Sequence, residues 1–146
     1  MRRAMRDRMA HKVDEFPVFL DAQAFTVAVS AILQRSGLRK NSKAYEQIAE
    51  ANDSILSNMD EGFAQESDDS FSKFLYYSKG SIAEVMRRLR RAAAKGFVPR
   101  EAVADLESRA DSIERQIGGF VKYLKASGFQ DRGRFKASQF RAKRRR

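Results

Sequence analysis

Residue types that carry out acid–base, nucleophilic or metal chemistry are scarce in this 146-residue chain. It has no cysteine, and its single histidine, His11, lies in a basic N-terminal segment. Thiolate metal sites and cysteine nucleophiles are therefore excluded. So is a di-metal carboxylate bundle, which needs a Glu-x-x-His pair on each of two helices. A Ser-His-Asp relay would rest entirely on one residue in a charged arm. Neither a glycine-rich phosphate loop nor a dinucleotide fingerprint occurs. What remains is Asn58, Glu61 and Glu84, an amide and two carboxylates on neighbouring helices. Two facing carboxylates can form an acid/base pair, but this set lacks a histidine, a metal partner or a phosphate loop. Asn58 and Glu61 are instead expected to satisfy polar groups within or between bundles, as buried polar atoms must be. The expectation is a protein that is not an enzyme and uses no metal or cofactor.

The cationic residues follow a clearer pattern. The net charge is +10. Residues 1–12 contribute +4, residues 130–146 contribute +7, and the body between them is almost neutral at −1. Blocks of like charge repel one another and commonly serve as tails that engage polyanions. Arginine and lysine contacts to phosphates release counterions, so such tails bind nucleic acid with little sequence preference. The C-terminal set is Arg132, Arg134, Lys136, Arg141, Lys143, Arg144, Arg145 and Arg146, with Phe135 and Phe140 interleaved where they could stack on bases. Within the body, Arg87, Arg91 and Lys95 form an i, i+4, i+8 row. These eleven cations are the candidate nucleic-acid-binding residues.

The elements that must position them are helical. Pro17 to about Arg35 reads as the first helix, with proline at an early position and Gly37 beyond its end. Asn41 and Ser42 offer a cap for a second helix, about 43–65. Ser67 caps a third, with Asp68 and Asp69 in the first turn where the helix dipole favours negative charge; it runs to about Lys95 and stops at Gly96. Pro99 opens a fourth, which is expected to stop at Gly128. The spacing of Val103, Leu106, Ala110, Ile113, Ile117, Phe120 and Leu124 is that of one helix face. Phe71, Phe74, Leu75, Ser78, Ile82, Val85, Met86, Leu89 and Ala93 form one face of the third helix. Short connections make successive helices antiparallel, giving an all-α, up-down four-helix bundle over 16–128. A basic arm (1–15) precedes it and a basic tail (129–146) follows. The apolar run Phe16–Leu33 has Asp14, Glu15 and Asp21 within or beside it and is short for a membrane span, so a soluble, cytoplasmic protein with no membrane partner is expected.

Two features exceed what a lone bundle needs. Helix one is apolar nearly all round, through Phe19, Leu20, Phe25, Val27, Val29, Ile32 and Leu33, and a helix apolar on every side must be covered on every side. Helix three carries Tyr76, Tyr77 and Gly80 opposite its core stripe, and a mid-helix glycine permits close approach of another backbone. Self-association through Phe19, Phe25, Tyr76, Tyr77 and Gly80 is the expectation.

The same residues carry a family likeness. Ser54-Ile55-Leu56-Ser57-Asn58-Met59-Asp60-Glu61-Gly62-Phe63, followed by Phe74-Leu75-Tyr76-Tyr77-Ser78-Lys79-Gly80-Ser81-Ile82-Ala83-Glu84, resembles the signature of the four-helix-bundle proteins encoded by intervening sequences in bacterial 23S ribosomal RNA genes. That pattern reads approximately S-I-x-S-N-I-A-E-G-F, then F-L-x-x-A-x-G-S-x-x-E. The family includes accessory proteins of diversity-generating retroelements, which associate with a reverse transcriptase and its RNA. The resemblance implies an antiparallel bundle assembling into a ring-like homopentamer, with RNA the preferred nucleic acid and a reverse transcriptase a partner. The chain departs from the pattern at Ser36–Asn41, where an aromatic-Pro turn is usual, at Asp60, where a small apolar residue is usual, and in its basic tail. The competing function is a protein-interaction scaffold whose basic arms recruit an acidic partner, with no direct nucleic-acid role.

Overall fold

A computed structural model describes the backbone of residues 16–138 and the side chains of residues 16–126. Four helices occupy it: α1 (Pro17–Arg35), α2 (Ser42–Ala64), α3 (Asp68–Ala94) and α4 (Arg100–Ser138), with a short 3-10 turn, Gly37–Lys40, between α1 and α2. Their starts have local causes. Pro17 supplies the first turn of α1. The Asn41 side chain accepts from the Ala44 N–H at 3.3 Å, and the Ser67 hydroxyl accepts from the Ser70 N–H at 3.1 Å. Asp68 and Asp69 then sit in the positive first turn of α3.

The expected end of α4 at Gly128 is not observed, because the helix continues to Ser138. A single glycine costs a helix only about 1 kcal/mol relative to alanine, and no proline follows Pro99 to impose a stop.

The helices form a square. α3 packs most extensively on α2 and then on α4, while α1 closes the fourth side against α2 and α4. α1 and α3 therefore occupy diagonal corners. The predicted stripes fill the interior: Phe25, Ile55, Phe71, Leu75, Ile82, Leu89, Ile113, Ile117 and Leu124 are wholly buried. At one end, phenylalanines from all four helices meet edge to face. Phe71 lies 5.6 Å from both Phe63 and Phe120, and Phe19 lies 5.9 Å from Phe63 between ring centres. At the other end Leu38 plugs the core from the 3-10 turn, in the place of the family's aromatic-Pro turn.

α2 and α3 approach through small residues. The Ser78 hydroxyl donates to the Ile55 carbonyl at 2.8 Å, and the Ser54 and Ser81 hydroxyls meet at 2.6 Å. Near the end of α2, a Cβ on Gly62 would sit 2.8 Å from the Phe74 Cβ and 3.1 Å from the Phe71 ring. Gly62→Ala is therefore expected to destabilise the bundle by about 1–3 kcal/mol through overpacking. Gly119→Ala, where nothing lies within 4 Å of an added methyl, should stabilise it by about 0.5–1 kcal/mol. Urea unfolding of the two variants checks the pair, and equal midpoints would contradict the tight seam.

Candidate nucleic-acid interface

The antiparallel order brings the first and third connections to one end of the bundle and the second to the other. This sorts the nearly neutral body into two poles. Residues 35–43 carry four cations (Arg35, Arg39, Lys40, Lys43) and no acid; residues 87–100 carry six (Arg87, Arg88, Arg90, Arg91, Lys95, Arg100) and no acid. Both segments lie at the same end. Residues 53–69, leading to the opposite end, carry six acids and no base.

At the basic end the cations divide by their partners. Arg88, half-buried, donates through Nε to Glu84 at 3.0 Å and through a terminal nitrogen to the Gln47 side chain at 2.8 Å. Arg90 pairs with Glu107. Arg87, Arg91 and Lys95 are exposed and make no ion pair or side-chain hydrogen bond among the described residues. The sequence-predicted row is thus a run of uncommitted charge, flanked by two arginines whose charge is offset.

Backbone geometry fixes this end. Gly96 adopts φ +85°, a left-handed conformation that glycine tolerates and that terminates helices. The Phe97 N–H turns back to the Ala92 carbonyl at 2.9 Å, and the Gly37 N–H donates to the Phe97 carbonyl at 3.2 Å. The two connections are thereby joined. Between them lies a half-open cavity of about 150 Å³, bordered by the 3-10 turn, the start of α2, the end of α3 and Phe97. Arg91 and Lys95 stand at it; Arg87, one turn earlier on α3, does not.

Other candidate residues are placed differently. Phe19 and Phe25, read as oligomer contacts, are buried at 5% and 0% exposure in the subunit's own core. This is a correction: α1 turns its phenylalanines inward and leaves Leu20 and Val27 outside, at 45% and 69%. Tyr76 and Tyr77 are half exposed, and the space around Gly80 is open. Arg132, Arg134 and Lys136 fall on the α4 backbone, beyond the described side chains. Arg141, Lys143, Arg144, Arg145 and Arg146 lie outside the described residues, as do His11 and the N-terminal arm.

The possible acid/base set is not assembled. Ser54 opposite Ser81 and Gln47 opposite Arg88 set a register in which Glu61 and Glu84 lie about ten residues apart along the bundle, roughly 15 Å of helical rise. The Asn58 amide donates to the Ser54 carbonyl of its own helix at 2.8 Å, and the exposed Glu61 accepts from Gln65. Among the described residues no group of three or more His, Asp or Glu could hold a metal ion. The 19-residue α1, with hydropathy 1.3, is long and apolar enough to cross a membrane by length and composition. Its eight buried residues are explained by the bundle core.

An all-helical, up-down bundle with one cationic end is the class that fold and charge define. A family model describing the 23S rRNA-intervening sequence protein matches residues 14–119. The chain belongs to this family. No curated protein matches its sequence. The family signature coincides with the α2–α3 seam: Ser54, Ile55, Gly62, Leu75 and Ser81 pack or hydrogen-bond there, and Glu84 holds Arg88. Because that ion pair is partly exposed, Glu84→Ala should cost less than about 1 kcal/mol in thermal unfolding. A loss of several kcal/mol would contradict its reading as a surface pair.

Proposed function

We propose that this chain is a non-enzymatic, cytoplasmic accessory protein that assembles into a homopentameric ring and binds nucleic acid, RNA by preference, in the service of a reverse transcriptase. The observation that carries the nucleic-acid reading is the basic end, whose two connecting segments, 35–43 and 87–100, hold ten cations and no acid, with Arg87, Arg91 and Lys95 unpaired among the described residues. RNA and the reverse transcriptase rest on the resemblance to retroelement accessory proteins, and the basic tail favours that branch.

Assembly is supported by two exposed faces on diagonal helices. α1 presents Leu20, Ala24 and Val27 to solvent, and α3 presents Tyr76, Tyr77 and Gly80. Faces that point away from each other pair head to tail between copies, and a head-to-tail contact closes into a ring when its rotation permits. Light scattering at micromolar concentration should therefore give a multiple of the 16.7 kDa chain mass, five for the pentamer. Gly80→Leu should lower that mass while leaving helicity intact, since bulk there fills open space rather than core. A stable wild-type monomer would overturn the ring.

Binding should weaken steeply with salt, because each neutralised phosphate returns a counterion. Replacing Arg87, Arg91 and Lys95 together with glutamine should reduce the slope of log affinity against log salt by up to about 2–3. Deleting residues 130–146 should also make the slope shallower while leaving the fold intact, because the last described core residue is Leu124. Binding that ignores salt, or no binding at all, would favour the scaffold reading instead.

A further inference from the structure

The cavity at the basic end has features that a merely cationic surface lacks. Its floor is apolar, with Leu38 and Ile48 1% exposed and the half-buried Phe97 ring beside them, while Asn41 and Gln47 put amide groups on its wall. Its mouth carries Arg91 and Lys95, whose charges have no partner among the described residues. Arg88 also lines it, but Gln47 and Glu84 already hold that guanidinium, which makes it a fixed wall rather than a free cation. A recess with an aromatic ring on an apolar floor, amides on its wall and two free cations at its rim matches the plan of a nucleotide, a flat face with polar edges flanked by phosphate.

Size narrows the ligand. At about 150 Å³, the cavity is well below the roughly 300–1,000 Å³ of sites that enclose a whole small molecule. It accommodates one ring system. A free dinucleotide cofactor is too large, and a base pair cannot enter a recess walled on several sides. A single unstacked base of a longer strand fits this description, with the rest of the strand outside on the cationic end. Stacking on aromatic rings is the usual way single strands are held, and it tolerates any base.

Resting on the nucleic-acid reading above, we propose that the Phe97 cavity receives one unstacked base of a single-stranded nucleic acid, with Arg91 and Lys95 taking the adjoining phosphates. The basic end thereby distinguishes single strands from duplexes, which the row of cations alone does not. Gly96 and Gly37 act as positioning residues. The left-handed turn at Gly96 carries the chain back across the end of α3, and the Gly37–Phe97 hydrogen bond ties the ring's backbone to the opposite connection.

The test measures fluorescence anisotropy of the full chain with a labelled oligouridylate and with an RNA duplex of equal charge, across a salt series. Phe97→Leu removes the ring but keeps apolar volume. Ala44→Leu, at a half-buried position on the cavity wall, fills the space and leaves Phe97 in place. Each should weaken single-strand binding about tenfold, the scale of one lost stacking contact. Neither should change duplex affinity or the salt slope, since no charge is altered. Circular dichroism verifies folding, and Ala44→Leu carries the test if Phe97→Leu unfolds. Single-strand affinity unchanged in both variants, with wild-type binding intact and salt-dependent, would overturn the cavity while leaving the nucleic-acid reading standing. Failure of the wild-type protein to bind either probe would overturn both.

Discussion

Where α2 ends, its backbone passes so close to Phe71 and Phe74 that the residue at position 62 has no room for a side chain. Farther along the seam Ser54, Ser78 and Ser81 alternate with Ile55 and Leu75, and the serine hydroxyls find partners across it. The seam fixes how far α2 and α3 slide past one another. With that register set, the phenylalanines of the far end can converge edge to face from four helices, and Gln47 can reach Arg88. α1 is added to a frame already defined. It fits through large side chains and through Asn52, whose amide donates to the Thr26 carbonyl at 3.0 Å.

The family signature therefore encodes a scaffold. Ser54, Gly62 and Ser81 are where two helices come close, the serines hydrogen-bonded to each other and Gly62 against the phenylalanines. Such a motif identifies the architecture while leaving the activity to surfaces added upon it. In this chain the surfaces outside the seam include the basic end, the tyrosine face of α3 and the outward strip of α1. The two halves of the motif that look most chemical, Asn58 with Glu61 and Glu84, are separated by the same register that the serines impose.

Local signals made the helices legible. Caps at Asn41 and Ser67, the stop at Gly96 and the start after Pro99 act within one turn, so sequence alone places them to within a residue. Core stripes on α3 and α4 were equally plain, since helical periodicity is a local property. The orientation of α1 was not, because a helix with apolar residues all round offers no contrast to say which side faces inward; Phe19 and Phe25 face in, Leu20 and Val27 out. Glycine at 128 misled for a related reason, being a cost rather than a barrier. The polarity of the body was hidden by its near-zero sum. Arg35, Arg39, Lys40 and Lys43 are far from Arg91 in sequence, and only the alternation of helix direction gathers them. The cavity lay further still from view, since Leu38, Ile48 and Phe97 meet through two connections whose conformation no spacing rule specifies.

An even number of helices also returns the chain to the end from which it set out. Phe16 and Phe120 touch beside the acidic connection, with ring centres 6.1 Å apart, so α1 begins, and α4 runs on toward Ser138, on the side away from the Phe97 cavity. The shaft between is the length of α2, 23 residues, or about 35 Å. Physiological salt screens charge beyond about 8 Å, so the basic connections 35–43 and 87–100 and the acidic segment 53–69 do not cancel one another's field. The bundle is a rod with two electrically independent ends. A polyanion near the body is drawn toward the connections 35–43 and 87–100 and repelled at 53–69, so the near-zero charge of the body conceals a direction that its sum does not report.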